Sequence, residues 1–283
     1  MSDALDYRVV DVFTDRRYAG NPLAVVLGAD ELGTAALQAV ANEFNLSETA
    51  FPMATSLDAD YRLRIFTPAA ELPFAGHPSI GAAWVMREMG RVADGRVVQD
   101  CGAGLLGLRL DGDRVTLTGG RPRVGPVVDP APVLAAAGLS HEDWAGDPAR
   151  WAGTGLDFGY LRVRPDAVAR ARPDLARLRA LAGGGQLSVF GWDAGVAHAR
   201  VFAAEVGVAE DPATGSAALG LGVWLAATGL VGDGTSAYRV EQGAEIGRPS
   251  RLDCEVDVAA GAAREVRVAG SVVAVAEGRI RVP

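Results

Sequence analysis

The sequence predicts an α+β fold made of two similar halves. Three observations predict it. Pro73, Gly76, Gly81 and Gly90 recur as Pro212, Gly215, Gly220 and Gly229, every pair offset by 139 residues (215 − 76 = 139). A strand of the form Arg-x-Phe precedes each set, Arg64-Ile65-Phe66 in one and Arg200-Val201-Phe202 in the other. Short alternating apolar runs surround two Gly-rich segments of helical length. A Pro- and Gly-rich stretch, Gly119–Pro132, marks the boundary and gives halves of 1–122 and 123–283, leaving open that the last strand crosses back to the first half.

In chain order, Tyr7–Phe13 and Leu23–Leu27 read as strands separated by the turn residues Ala19-Gly20-Asn21-Pro22. Leu32, Ala36, Leu37, Val40 and Phe44 share one stripe, so Glu31–Phe44 reads as a helix. Thr49–Met53 and Tyr61–Phe66 read as strands, and His77–Met89 as a helix stopped by Gly90. Arg96–Asp100, Leu105–Leu110 and Arg114–Thr118 alternate as a meander. Beyond the boundary, Leu161–Val163, Leu187–Phe190 and Ala199–Phe202 are strand-like, Ser216–Thr228 is a helix stopped by Gly229, and short strands run on to Ile280–Val282.

Composition bounds the function. The 283 residues are 49% hydrophobic, and the net charge of −8 disfavours non-specific nucleic-acid binding, which needs a basic footprint. Local fields leave an anionic substrate open. The apolar run Ala217–Val231 falls short of a membrane span and reads as a buried helix. MSDALDYRVV reads as no secretory signal, which points to a cytoplasmic protein with Cys101 and Cys254 reduced. The chain has no lysine; all 27 basic residues are arginine. That excludes a lysine Schiff base, a Walker-A lysine and a lysine nucleophile.

Three segments carry candidate chemistry. In Pro73-Phe-Ala-Gly76-His77-Pro78-Ser79, Pro78 suits a first helical turn, whose free N–H groups attract anions. His77 is there either a donor to a carboxylate or a solvated residue of a capping turn. In Glu210-Asp211-Pro-Ala-Thr214-Gly215-Ser216, Asp211 and Thr214 are either plain caps or part of a second helix start that offers Gly215 and Ser216 N–H groups to the same kind of ligand. Two such starts facing one cleft between the halves would grip an anion without lysine or metal. Glu48, in Asn45-Leu-Ser-Glu48-Thr49, is either an exposed loop carboxylate or, desolvated in a cleft, a general acid/base.

Other signals fail on context. Gly102-Ala-Gly104-Leu-Leu-Gly107 fits a dinucleotide fingerprint, but an alternating strand follows it instead of a helix. His77, His141 and His198 are scattered with no HExxH or CxxC, which disfavours catalytic zinc. Ser216, His77 and Asp211 hold the ingredients of a hydrolase triad without the GxSxG elbow.

These motifs, together with Asp11-Val-Phe-Thr, Gly20-Asn-Pro-Leu-Ala-Val, Phe66-Thr-Pro, Thr154-Gly-Leu, Gln242-Gly and Gly247-Arg-Pro-Ser, run in order along nearly the whole chain. The chain resembles the PhzF-like family of phenazine biosynthesis, related in fold to diaminopimelate epimerase. The resemblance implies two similar domains, each a barrel-like antiparallel sheet wrapped around a central helix, at about 77–89 and 216–228. It implies an isomerase active without metal or cofactor on a small carboxylate metabolite, similar to trans-2,3-dihydro-3-hydroxyanthranilate, and a homodimer with no nucleic-acid or membrane partner. It places Glu48 as the catalytic acid/base, His77 and Asp211 as residues that help bind and tune the substrate, and Gly76, Gly215 and Ser216 at the helix starts around the substrate's carboxylate. The epimerase relatives use two thiols; Cys101 and Cys254 lie outside these motifs. An amino-acid epimerase and a non-catalytic ligand-binding protein remain the alternatives.

Overall fold

The computed structural model describes residues 3–181, 183, 185–204 and 208–283. The chain forms two compact units, Met1–Thr118 with Ala269–Pro283, and Gly119–Val268. The first contains β1 (Ala4–Val12), β2 (Asn21–Val26), α1 (Thr34–Phe44), β3 (Glu48–Met53), β4 (Tyr61–Phe66), β5 (Glu71–Leu72), α2 (Gly76–Glu88), β6 (Gly95–Cys101), β7 (Gly104–Asp111) and β8 (Arg114–Thr118). The second contains β9 (Arg123–Val128), α3 (Pro130–Ala136), β10 (Ala149–Gly153), β11 (Asp157–Arg162), α4 (Pro165–Val168), α5 (Leu175–Ala180), β12 (Gln186–Asp193) and β13 (Val196–Ala203). It continues with β14 (Val208–Asp211), α6 (Gly215–Ala227), β15 (Gly234–Gln242) and β16 (Ser250–Ala259). A last strand, β17 (Ala262–Arg281), begins in the second unit and ends in the first.

In the first unit β1, β2, β3, β4, β6, β7, β8 and β17 close into a ring of eight strands. Six of the joints are antiparallel or hairpin-like neighbours; β2–β3 and β4–β6 are parallel and need crossovers, which α1 and α2 supply. The α2 crossover lies inside the ring: it packs on β1, β2, β3, β4, β7 and β8, and Gly76–Val85 are buried. The second unit repeats the scheme in the order β9–β10–β11–β12–β13–β15–β16, with parallel joints at β11–β12 and β13–β15. Its central helix, α6, is buried from Gly215 to Ala226 and packs on β9, β10, β11 and β16. A helix enclosed all round has no polar face to keep, which is why α6 is apolar throughout.

The glycines of the repeat permit this enclosure. A methyl at Gly81 would lie 2.6 Å from Leu23 Cδ2 and 2.9 Å from Val12 Cγ2, and one at Gly220 would fall on the Tyr160 hydroxyl. That hydroxyl cannot yield cheaply, because it donates to the Ala217 carbonyl at 2.6 Å. Gly220→Ala is therefore expected to cost roughly 1–3 kcal/mol by overpacking, and more than Gly81→Ala, where Leu23 can change rotamer. Chemical denaturation of the two variants checks the order.

The duplication extends to an ion pair. Arg64 lies over Phe66 at 5.1 Å and binds Glu71 through two bonds of 2.7 Å. Arg200 lies over Phe202 at 5.3 Å and binds Glu210 at 2.9 and 2.7 Å. Glu71 and Glu210 are again 139 apart (210 − 71 = 139).

Several sequence expectations need correction. The boundary expected at 122/123 falls at 118/119; residues 269–283 group with the first unit, the crossing of the last strand that the sequence left open. The Gly119–Pro132 stretch contains a strand, β9, and Asn21 and Pro22, read as turn, open β2 in register with Val12 and Asp11. The expected short C-terminal strands after Ala262 are one strand of 20 residues. The fingerprint-like Gly102–Gly107 segment turns from β6 into β7, as its alternation implies. Among the described residues no helix is long and apolar enough to cross a membrane.

Candidate active site

Glu48 is the first residue of β3, directly after the short turn that follows α1. Its place follows from the parallel joint: Leu23 of β2 pairs with Glu48, which brings the residues preceding each strand together. The exposed-loop reading does not hold, because the Glu48 side chain is only 16% exposed. Its Oε2 stands 3.5 Å from His77 Nε2. That is close electrostatic contact, past a good hydrogen-bond length.

His77 is the second residue of α2, and it is buried, not solvated. Its Nδ1 is 3.2 Å from Asn21 Nδ2, and Asn21 Oδ1 accepts from the Ser47 hydroxyl at 3.1 Å. Its Nε2 makes no hydrogen bond among the described residues. Burial pushes the imidazole pKa down from 6.5 to about 3, and a hydrogen bond with the Pro22 carbonyl acts in the opposite direction. The ring is therefore neutral at neutral pH. The start of α2 has no side-chain cap, so the N–H groups of Gly76 and His77 head an uncapped, buried helix end.

The sign of the resulting pH dependence is fixed. An imidazole that stays neutral when folded and takes a proton when unfolded contributes stability that is present above about pH 6.5 and lost as pH falls towards 3. Against His77→Gln, the wild type should lose about 2 kcal/mol more between pH 7 and pH 5. Urea unfolding of both proteins at the two pH values checks it; parallel curves would show an imidazole with an ordinary pKa.

The second unit holds the other predicted residues. Asp211 ends β14 and is 9% exposed, while Gly215 and Ser216 open α6 and are buried. Thr214 stands at the N-cap position but caps nothing; its hydroxyl donates to Asp211 Oδ2 at 2.5 Å. Gln242 ties the motif from β15. Its Nε2 donates to the Asp211 carbonyl at 2.7 Å and to Thr214 Oγ1 at 3.0 Å, and its Oε1 accepts from the Thr214 N–H at 3.2 Å. Gly243 follows in the left-handed region (φ 80°), where a methyl would meet the Pro212 carbonyl at 2.5 Å. The plain-cap reading of Asp211 and Thr214 is thereby replaced by a rigid polar loop that leaves the α6 start without a side-chain cap.

The structure thus brings Glu48, His77 and Gly76 together in one unit, and Asp211, Gly215 and Ser216 together in the other. The family profile of phenazine biosynthesis-like proteins matches residues 10–278. The chain belongs to the PhzF family. It is 36% identical to trans-2,3-dihydro-3-hydroxyanthranilate isomerase of Pseudomonas aeruginosa, over 96% of this chain and 98% of that protein. It is 34% identical to an uncharacterized isomerase of Mesorhizobium japonicum, over 97% and 98%. A crystal structure of a Bacillus anthracis PhzF-family protein superposes with a TM-score of 0.89 at 25% identity, covering 100% of both chains. A hydroxyproline epimerase from Agrobacterium vitis, solved with trans-4-hydroxy-L-proline, shares the fold alone (TM-score 0.69, 14% identity, 99% and 93% covered).

The protein is accordingly an isomerase of the PhzF family. Four residues of this PhzF-family chain matter to the two clusters yet were not candidates from sequence: Asn21, Ser47, Thr214 as a partner of Asp211, and Gln242. Asn21 and Ser47 stood within quoted motifs, but a turn-like Gly-Asn-Pro and a helix-terminal Asn-Leu-Ser carry no signal that they meet.

Proposed function

We propose that the protein is a proton-transfer isomerase of a small carboxylate metabolite, resembling trans-2,3-dihydro-3-hydroxyanthranilate, with Glu48 as the proton carrier and no need of a metal or cofactor. One observation carries the reading: a shielded carboxylate stands 3.5 Å from a buried imidazole, at the uncapped start of a buried helix. A carboxylate shielded in this way can take a proton from a substrate carbon and return it. Glu48 takes a proton from one ring carbon and delivers it to another, and the resulting enol relaxes to the ketone. One carboxylate serving one face suffices for this, because the proton lost from one carbon is delivered to another carbon on the same face of the substrate.

His77, uncharged, is suited to donate to or accept from a substrate oxygen without adding a cation. Asp211, Gly215 and Ser216 are assigned to substrate binding on their motif. The free N–H groups at the helix starts of Gly76 and Gly215 suit a carboxylate. Nothing here requires a thiol: Cys101 and Cys254 are buried in β6 and β16, and Cys101 donates to the Gly104 carbonyl.

The test is incubation of the protein with trans-2,3-dihydro-3-hydroxyanthranilate, and separately with L-proline and trans-4-hydroxy-L-proline, in D₂O, followed by NMR. A shifted double bond in the first supports the reading. Deuterium at a scrambled stereocentre of an amino acid, with no double bond moved, would replace it by an epimerase. Binding with no exchange in any of them would leave a ligand-binding protein.

A further inference from the structure

We propose that Ser79, held by Gln99, is a positioning residue: its hydroxyl fixes the Ala75 carbonyl and so aims the Gly76 N–H at the substrate's carboxylate. The inference rests on the reading of the α2 start as a carboxylate site and adds the groups that set the direction of its first donor.

Peptide geometry links the two ends. The Ala75–Gly76 peptide is trans, so its C=O and its N–H point in opposite directions. The Ala75 carbonyl points into α2, where it accepts from the Ser79 N–H at 3.3 Å. The Gly76 N–H therefore points out of the helix end. Pro78 has no N–H, so Gly76 and His77 supply the open donors of the first turn. Neither of these N–H groups has a partner among the described residues.

A backbone contact of 3.3 Å is long for an N–H donor. The shorter tether is the Ser79 hydroxyl, 2.9 Å from the same carbonyl oxygen. A carbonyl only accepts, so the single hydroxyl hydrogen lies on this contact. Ser79 Oγ is then the acceptor towards Gln99, whose Nε2 donates to it at 3.0 Å. That leaves Gln99 Oε1 for the Tyr61 hydroxyl, which donates at 3.0 Å. Burial pushes the Tyr61 pKa well above its ordinary value, so the phenol keeps that hydrogen. All three side chains are at most 1% exposed, which keeps bulk water from competing for these bonds.

Strand β6 secures the chain of contacts. Gln99 belongs to it, and Ala103, in the turn that follows, donates to the Pro73 carbonyl at 3.0 Å. Segment 73–79 is thus held on both sides of Gly76. The other helix start shows why α2 needs this. Thr214 stands where α2 has Ala75, by the offset of 139, and is held by Asp211 and Gln242. Its carbonyl takes the Ala218 N–H at 2.9 Å. Ala75 has no polar side chain to hold, and Ser79 stands where α6 has Ala218. A hydroxyl inside α2 does what the polar loop does outside α6.

Two probes read the effect without turnover: 3-hydroxyanthranilate, the aromatic analogue of the proposed substrate, and its carboxamide. Wild type is expected to bind the acid more tightly than the amide. Ser79→Ala removes the tether and should weaken acid binding about tenfold, the low end of what a hydrogen bond to a charged group supplies, with the amide changed less. Gln99→Met leaves the hydroxyl unsupported and should give a smaller loss. In ¹⁵N-glycine-labelled protein, the Gly76 resonance should move in ligand-free Ser79→Ala and respond less to the acid. Combining Ser79→Ala, Gln99→Met and Tyr61→Phe replaces every polar member by an apolar one, which should restore most of the melting temperature but not the preference for the acid. A merely structural chain would return the preference together with the melting temperature, and that result overturns the proposal. So does a folded Ser79→Ala protein whose ligand-free Gly76 resonance is unmoved, whatever the protein binds. A wild type with no preference for the acid overturns the carboxylate reading itself, and the inference with it, before any variant is made.

Discussion

Glu48→Gln turns over substrate roughly 10²–10⁴-fold more slowly than wild type, the range that a positioned acid/base supplies. That is about 3–5 kcal/mol of barrier. Gln keeps the size of Glu and a carbonyl to accept hydrogen bonds, so it removes the proton carrier and little else. The position is also forgiving structurally, since β3 pairs with β2 and β4 through its backbone. Ligand affinity should therefore stay within about tenfold, about 1.4 kcal/mol. Steady-state rates with equilibrium binding of a substrate analogue separate the two effects. A variant that keeps its rate removes Glu48 from the chemistry; one that loses affinity and rate together makes it a binding residue.

The second large effect concerns stability. Arg200 and its partner Glu210 have side chains only 7% and 12% exposed, and the guanidinium also donates to the Ala171 carbonyl at 2.8 Å. Arg200→Ala strands a carboxylate out of water and should cost about 3–5 kcal/mol. The repeat supplies the control. Arg64 and Glu71 form the same bidentate, ring-stacked pair with Glu71 37% exposed. Water can take over solvation of that carboxylate, so Arg64→Ala should cost about 1 kcal/mol or less. Removing both charges, in Arg200→Met with Glu210→Leu, should recover much of the first loss. Urea midpoints decide, and equal losses at 64 and 200 would show that burial does not set the difference.

The contrast also explains what the sequence made visible. Two 13-residue helices offset by 139 were legible because enclosure by a ring of strands imposes small residues at fixed places, and those residues recur. Gly90 and Gly229, both with positive φ, end them in the same way. The ion pairs behind the repeat were not legible, because Glu71 lies seven residues after Arg64 and Glu210 ten after Arg200, and no local period links such pairs.

The long strand β17 was hidden by Gly270, which reads as a break in a strand pattern. It is glycine for another reason: any side chain there would run into the Phe13 ring. Strand β9 was hidden by Gly125 and Pro126, which resemble linker chemistry; both sit where the β9–β10 register shifts, an irregularity that tolerates Pro.

For the site, residue type and motif singled out Glu48, His77 and Asp211 as candidates, but their surroundings could not be read. Whether Glu48 was exposed depended on how β2 and β3 pair, a contact between residues 21–25 and 48–50 that crosses a helix. The depressed pKa of His77 depends on complete burial of the α2 start, which only the closed ring produces. Thr214 was read either as a plain cap or as part of a second helix start; its hydroxyl goes to Asp211 and caps no N–H of α6.

The central claim is that a single carboxylate carries the proton between two carbons of one substrate molecule. It is tested most directly by a single turnover, in ordinary water, of substrate deuterated at the carbon that loses its proton. A carrier shielded as Glu48 is returns part of that deuterium to the accepting carbon of the product. A product with no deuterium there, under turnover too fast for the carrier to exchange with solvent, would contradict it and require a second proton-transfer group.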